Sequence, residues 1–227
     1  MLEPRAVGPD PELVSDGGGL PFAPAMLAGP LAPLRADDPA AASLLALLTA
    51  RGAPKRNASS RFKRGPEAPA AAPPTLDGWR LLARTSDEAL FGRGQPPTLA
   101  IVAVRADPRR GSWSCYAESS GRPLRASREG IRASSWRLDP TTELREDATT
   151  LRLLLLEQTF AGGKRAGDRV LTPDLYVGPE QLVLTLYVTP LPGFKTRSPN
   201  PETPVRVRLP EQIGSRELID GALYERT

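Results

Sequence analysis

Apolar and polar side chains alternate along residues 181–189, QLVLTLYVT. This two-residue period is typical of a β-strand with one buried face, because successive side chains of a strand point to opposite sides. Residues 204–209, PVRVRL, repeat the period with an arginine at every second position. Prolines flank both runs, and proline has no N–H to donate to a strand ladder. The pattern therefore predicts two consecutive antiparallel strands. The two faces of the first run hold Leu182, Leu184, Leu186 and Val188 on one side, and Val183, Thr185, Tyr187 and Thr189 on the other.

Further strand-like runs lie between turn signals throughout residues 78–227. The leucine-rich run at 151–160 also suits a short buried helix, but its length and its β neighbours favour a strand. About ten short strands without interleaved helices predict an all-β fold, an antiparallel sandwich or open barrel. The predicted strands are 80–85, 88–92, 99–106, 112–118, 131–138, 151–160, 169–172, 175–177, 181–189 and 204–209.

Proline is concentrated at the N-terminus, since residues 1–77 hold 13 of the 26 prolines. All three tryptophans and all four tyrosines lie in residues 78–227. Without branched and aromatic side chains, a segment lacks the apolar burial that offsets the entropy cost of ordering. The composition therefore predicts a mostly irregular, flexible Pro/Ala-rich arm at 1–77 and one β domain at 78–227.

One helix is expected within this arm, at about residues 39–51. Asp38 is a suitable N-cap, Pro39 fits the first helical position, and Gly52 fits the stop signal. Leucines at 44, 45, 47 and 48 give the helix an apolar face. Such a face most often packs on the neighbouring domain.

The charge balance permits an anionic partner without requiring one. The net charge of +4 falls on residues 78–227, as 22 basic minus 18 acidic residues. The arm holds a cluster of five basic residues at 55–64, KRNASSRFKR. A solvated linker is the favoured interpretation of this segment, and a contact to nucleic acid or an anionic membrane surface is the alternative. Nucleic acid is thus not strongly indicated as a partner.

A single cysteine, Cys115, excludes an internal disulfide. It alternates with Trp113 and Ala117, which predicts a buried strand cysteine and not a reactive one. The first residues lack the basic stub and apolar run of a secretion signal, and no run reaches the roughly 20 apolar residues of a membrane helix. The expected location is the cytoplasm, with no transmembrane segment.

Most catalytic constellations are excluded by composition. The chain has no histidine, the usual base for a serine or cysteine nucleophile, and one cysteine cannot build a common zinc site. No metal, cofactor or catalytic residue is therefore predicted, which weighs against an enzyme. Glu157, at the edge of an apolar strand face, is the candidate for a carboxylate-dependent hydrolase. An arginine-paired structural glutamate is the favoured interpretation of this residue.

Four segments of the predicted domain form a recognisable pattern: GWRLLARTSDEALFGRGQPP, SSWRLDP, residues 157–163 (EQTFAGG), and NPETPVRVRLPEQIGSRELIDGALY, of which the last is the most specific. They resemble a group of uncharacterised actinobacterial proteins that are often predicted to be exported or membrane-anchored. The resemblance covers about 78–227 and implies an architecture and a lineage without a reaction. It also implies the cell envelope as the alternative location.

Members of this group usually carry cysteines at the positions of Phe160 and Arg197, which implies one bridge between these positions in the group. The resemblance thereby implies that the loops after 151–160 and 181–189 lie together, with those two Cα atoms within about 7 Å. Four basic residues would then share a rim and form an anion-accepting patch: Lys164, Arg165, Lys195 and Arg197.

The function expected from the sequence is a non-enzymatic β-domain binding or interaction module of unknown ligand. Its partner is unidentified, with a protein or a small anionic ligand as the two options. The carboxylate-dependent hydrolase and a binder of nucleic acid or anionic surfaces through basic loops are the alternatives.

Overall fold

A computed structural model of the chain describes residues 1–29, 32–52, 75–193 and 198–224. These residues form thirteen strands and little helix, which confirms the all-β prediction with its short helix and irregular N-terminus. The strands are β1 (Arg5–Ala6), β2 (Leu13–Ser15), β3 (Trp79–Arg84), β4 (Glu88–Arg93), β5 (Ala100–Asp107), β6 (Ser112–Ser120), β7 (Arg125–Arg128), β8 (Ile131–Leu138), β9 (Thr150–Leu156), β10 (Asp174–Val177), β11 (Gln181–Tyr187), β12 (Thr203–Arg208) and β13 (Glu217–Asp220). The helices are α1 (Ala25–Ala28), α2 (Pro39–Gly52) and a 3-10 turn at Gly167–Arg169.

The chain divides into two compact units. The first unit comprises Met1–Gly17, Pro21–Ala25 and Arg122–Thr227, and the second comprises Gly18–Leu20 and Met26–Gly121. This division falls inside the range 78–227 that composition predicts as one domain. It also places β1 and β2, from the predicted arm, in the first unit, because their pairing partners lie more than a hundred residues away along the chain.

The first unit is a nine-stranded mixed sheet. Its strands follow the order β1-β10-β11-β8-β7-β2, while β9 pairs with β8, β12 with β9, and β13 with β11. Most pairs are antiparallel, and β1–β10 and β11–β13 are parallel. The sheet surrounds a core of branched apolar side chains from β9, β11 and β12, including Leu151, Leu153, Leu155, Leu182, Leu184, Leu186, Val205 and Val207.

Strand β11 lies at the centre of this sheet and has two unlike faces. Leu182, Leu184 and Leu186 are almost completely buried in the core. The alternate positions 183, 185 and 187 point to the other side, as the two-residue period predicts. This second face is the floor of the cavity described below.

The strands predicted at 181–189 and 204–209 are both present, as β11 and β12, but they do not pair with each other. Strand β12 pairs antiparallel with β9, with Val205 opposite Leu153 and Val207 opposite Leu151. Both edges of β11 are already occupied, by β10 on one side and by β13 and β8 on the other. Because residues 188–202 separate the two strands, the connection is long enough to carry β12 to another edge.

The leucine-rich run at 151–160 is a strand, β9, and it ends at Leu156. The predicted strand at 169–172 is wrong, since the chain forms the 3-10 turn and then a single bridge between Val170 and Val188. Four short strands lack a clear period in the sequence, namely β1, β2, β7 and β13. They are two to four residues long, which is too short for alternation to be visible.

The second unit is a four-stranded antiparallel meander, β3-β4-β5-β6, covered by α2. The β3–β4 and β5–β6 connections lie at the predicted turns. Asp38 caps α2, because its Oδ1 accepts hydrogen bonds from the amides of Ala40 at 2.8 Å and Ala41 at 3.4 Å. Leu44 is fully buried against the sheet together with Ala40, so the apolar helix face packs as predicted.

Candidate functional site

A cavity of about 460 Å³ opens in the first unit above the second face of β11. Val183, Thr185 and Tyr187 form part of its floor, and Gly221 lies beside them. The N-terminal segment at 5–12 forms another wall. Ser127 and Arg128 from the end of β7, with Asp174 and Tyr176 from β10, complete the lining.

Asp174 is the most heavily engaged group in this cavity, with a side chain that is only 9% exposed. Arg5 donates from Nε to its Oδ1 at 2.5 Å, and Arg128 donates from Nη1 to the same oxygen at 2.7 Å. The other Arg128 nitrogen, Nη2, donates to the carbonyl oxygen of Thr172 at 2.9 Å. A carboxylate held by two guanidinium groups in a buried place is a fixed structural charge.

The parallel pairing of β1 with β10 brings these residues together. Arg5 lies directly opposite Asp174 in the register. The amide of Arg5 donates to the carbonyl of Pro173 at 2.9 Å, and the amide of Val7 donates to the carbonyl of Leu175 at 3.0 Å. These backbone bonds hold the N-terminal segment across the cavity.

Tyr187 lies under the guanidinium of Arg128, whose Cζ is 4.6 Å from the ring centroid. Burial raises the pKa of the Tyr187 phenol, and the neighbouring Asp174 carboxylate raises it further. Tyr187 therefore stays protonated and can act as a hydrogen-bond donor or acceptor. A proton-abstracting role at neutral pH is not favoured by this environment.

Arg5 is the more accessible of the two arginines, with a side chain that is 47% exposed against 16% for Arg128. Its hydrogen bond to Asp174 raises the pKa of Arg5, so its charge is permanent. Exposed Asp10 and Glu12 stand on the same wall. The charged side chains of the lining are thus two positive and three negative, which gives the lining a net charge of minus one.

Gly221 allows the chain to pass close to the cavity floor. A Cβ atom at this position would lie 2.2 Å from Thr185 Oγ1 and 2.8 Å from Val183 Cγ1. The amide of Gly221 donates to the carbonyl of Leu184 at 3.0 Å, which fixes the approach. Only glycine fits here without a shift of β11 or of the chain after β13.

The predicted basic patch is described only in part. Lys164 and Arg165 are exposed in the loop after β9, outside the cavity lining. Lys195 and Arg197 lie outside the described residues, and so do residues 55–64 of the predicted basic linker. The four-residue patch therefore stays a prediction, as does the role of 55–64.

Asn200 links the described parts of the loop after β9 and the loop after β11. Its Nδ2 donates to the carbonyls of Glu157 at 3.1 Å and Thr159 at 2.5 Å, while its Oδ1 accepts from the amide of Ala161 at 2.9 Å. Phe160, one of the two residues that the sequence leads us to expect close together, is 53% exposed. The other position, 197, is not among the described residues.

Glu157 is paired with an arginine. Arg169 donates from Nη1 to Oε1 at 2.7 Å and from Nη2 to Oε2 at 2.6 Å, in a bidentate arrangement. Thr159 adds a hydroxyl donor at 3.1 Å, and the Glu157 side chain is 2% exposed. Both oxygens are therefore occupied, as expected of a structural glutamate.

Cys115 lies in β6, half-buried beside the core that α2 covers. Exposed and partly buried residues alternate along β6, as the sequence predicts for this strand. Burial raises the pKa of the Cys115 thiol, and nearby Glu118 raises it further. Such a thiol is a poor nucleophile near neutral pH.

Neither a metal cluster nor a membrane helix is found in the described parts of the chain. Residues 1–29, 32–52, 75–193 and 198–224 hold no group of three or more acidic or cysteine side chains suited to a metal ion. No helix among them is long and apolar enough to cross a membrane.

Comparison with known proteins adds no assignment. The chain matches no family model, no curated protein and no solved structure.

Four cavity residues were not expected from the sequence: Arg5, Arg128, Asp174 and Tyr187. Alternation in β11 does place Tyr187 on the face opposite the leucines, which is a partial signal. Nothing local marks Asp174 as the partner of Arg5, since 169 positions separate them along the chain.

Proposed function

We propose that this protein is a non-enzymatic β-domain binding module whose ligand site is the cavity above β11. The observation that carries the proposal is the cavity itself, with a buried Asp174 held by Arg5 and Arg128 at its wall. Sites for small molecules usually have volumes of about 300–1,000 Å³ and a few fixed polar groups. A cavity of about 460 Å³ with this lining falls within that class.

The charges of the lining indicate the type of ligand. Arg5 and Arg128 are engaged with Asp174, and Asp10 and Glu12 add two exposed negative charges nearby. An anion would therefore meet a slightly negative surface, whereas a neutral or positively charged polar molecule would not. Thr185 and Tyr176 contribute hydroxyl groups that can orient such a molecule.

A protein-observed NMR screen of small polar fragments tests this proposal on the full chain. We expect the hits to shift the amide signals of residues 5–12 and of β11, and to be mostly neutral or cationic. The cavity-filling variant Gly8→Phe should abolish those shifts. Gly8 lines the cavity and has open space around the position of a Cβ atom, so the ring can be accommodated.

Thr149→Phe is the matched control, because it adds the same ring at an exposed residue outside the lining. It should leave the hits unchanged. Hits that shift other parts of the chain, or that bind Gly8→Phe as well as the natural chain, would overturn the assignment of the site.

The two alternatives have no comparable support. A hydrolase based on Glu157 would need that carboxylate to be available, and Arg169 and Thr159 occupy it. Binding of nucleic acid or an anionic surface would rest on residues 55–64, which are not described, and on the basic loop patch. If the protein binds nucleic acid through these residues, its affinity for a DNA oligonucleotide should fall steeply between 50 and 200 mM salt. The loss should be on the order of 10³-fold for six phosphate contacts.

A further inference from the structure

A second group of charged side chains lies in the first unit, on β7 and β8, outside the cavity lining. Arg132 of β8 is directly opposite Ser127 of β7, and Arg125 lies two positions before Ser127 on the same strand. Residues in these positions share one face of a sheet. Arg125 and Arg132 therefore project on the same side.

Arg132 is half-buried and lies across the backbone of Gly17. A Cβ atom at Gly17 would be 2.2 Å from Arg132 Nη1 and 2.7 Å from Cζ. Gly17 has a φ of 85°, a conformation that favours glycine in any case. Among the described residues, the buried Nε of Arg132 has no hydrogen-bond acceptor.

Arg125 brings its guanidinium to the same place. Its Nη1 donates to Ser135 Oγ at 3.0 Å and to the carbonyl of Ala133 at 3.4 Å. Ala133 directly follows Arg132 in β8. Within the part of the chain that the structure describes, the Arg125 guanidinium thus donates to neutral acceptors, and Arg132 lacks an acceptor at Nε.

The local balance of charge is positive. Burial lowers the pKa of Arg132, Arg125 and Arg122 lower it further, and Asp16 opposes them. Burial also lowers the pKa of Arg125, against the attraction of Asp220. The charged groups that influence these two pKa values, with the two arginines themselves, are three arginines and two carboxylates, which together carry one net positive charge.

An unsatisfied buried donor on a charged group is costly, and its presence in a folded protein calls for a partner. A tetrahedral oxyanion supplies both the missing acceptor and the missing negative charge, and guanidinium groups bind such anions in a fixed geometry. We propose that Arg125 and Arg132 form a binding site for a small oxyanion of the phosphate type. This site is separate from the cavity and does not depend on the function proposed for it.

The first test is a titration of the full chain with sodium phosphate against sodium chloride at equal ionic strength and pH 7. The Nε–H signals of the arginine side chains are followed by ¹⁵N NMR. We expect phosphate to shift the Arg132 signal in a saturable manner and chloride to leave it in place. Equal effects of the two salts, or no shift of the Arg132 signal, would overturn the site and leave water as the partner of Nε.

Variants show whether the binding needs the guanidinium pair. Arg132→Gln should weaken phosphate binding about tenfold or more, because it removes charge-assisted hydrogen bonds. Arg132→Lys keeps the positive charge but lacks the planar guanidinium. Its affinity for phosphate should lie between those of the natural chain and Arg132→Gln. If Arg132→Gln does not fold, Arg125→Gln tests the other member of the pair by the same titration.

Arg206→Gln is the matched control, since it removes one positive charge from an exposed position of β12 in the same unit. It should leave phosphate binding within about twofold of the natural chain, as expected for a screened surface charge. A loss of binding in this control equal to that in Arg132→Gln would show a general effect of net charge and would contradict the proposal. Gly8→Phe should leave phosphate binding intact.

Discussion

Asp174 shows how one residue can determine the local chemistry of the first unit. Its carboxylate is nearly buried, and it is bound by Arg5 and Arg128 beside the ring of Tyr187. A buried ion pair adds little net stability compared with apolar packing, but its members become costly when one of them is removed. Even a substitution of Asp174 that keeps the size of the side chain is therefore expected to destabilise the protein.

Asp174→Asn should lower the free energy of unfolding by about 3 kcal/mol, because it leaves the Arg128 guanidinium buried without its counter-charge. Urea unfolding at pH 7 measures the change. Glu202→Gln is the control, since the side chains of its partner Arg137 and of Glu202, 54% and 38% exposed, are far more accessible than those of Arg128 and Asp174, 16% and 9% exposed. Exposed pairs contribute little, so the loss there should be much smaller. Equal losses in the two variants would contradict the role given to Asp174.

At the level of elements, α2 illustrates how a local signal and a tertiary contact act together. Asp38 caps the helix through the amides of Ala40 and Ala41, and its Oδ2 also pairs with Arg84 of β3. The cap belongs to the helix alone, whereas the ion pair ties the helix start to the sheet. Leu44 then fixes the helix face against the same sheet.

Asp38→Ala should destabilise the second unit by about 1 kcal/mol at pH 7 through loss of the cap. Burial opposes ionisation of Asp38, but the Arg84 guanidinium and the helix amides outweigh it and lower the pKa of Asp38 below 3.8. The carboxylate thus contributes its stability above that value, and the contribution is lost as the pH falls through the folded-state pKa.

The destabilisation by Asp38→Ala should therefore be larger at pH 7 than at pH 2, as measured by urea unfolding at both values. Asp37→Ala serves as control, because Asp37 pairs with exposed Arg35 and, within the described residues, accepts no bond from the helix amides. An equal effect of Asp38→Ala at the two pH values would contradict the electrostatic part of the argument.

At the scale of the molecule, each compact unit has a core of its own. In the first unit the core is formed by β9, β11 and β12, and in the second by α2 with the four-stranded meander. Units with separate cores can unfold as separate cooperative steps. This organisation makes a prediction for calorimetry.

We expect thermal unfolding to show two transitions, which hydrogen exchange with mass spectrometry can assign to peptides of each unit. Asp174→Asn should lower the transition of the first unit, and Asp38→Ala should lower that of the second. A single transition, lowered by both variants, would show that the two units unfold as one.

The strand content and the local chemistry of the chain were predictable from the sequence. Alternation in β11 and β6, the turns of the meander, the Asp38 cap and the strand character of β9 depend on neighbours within a few residues. These features are stabilised by interactions between residues that are close in the chain, so the local sequence is enough to predict them. The strand expected at 169–172 shows where a run of four residues is too short for this reasoning.

Pairing and the candidate site were decided by the tertiary structure. The chain sends β12 to β9 instead of β11, and β1 to β10, because each strand edge accepts the partner that completes the common core. The cavity follows from that choice, since Arg5 and Asp174 meet only when the first and tenth strands pair. The sequence determines which face of each strand is apolar, and only the complete sheet determines which polar faces lie together. The physical reason is that side-chain alternation is a property of the local backbone, whereas strand pairing depends on contacts between residues far apart in the chain.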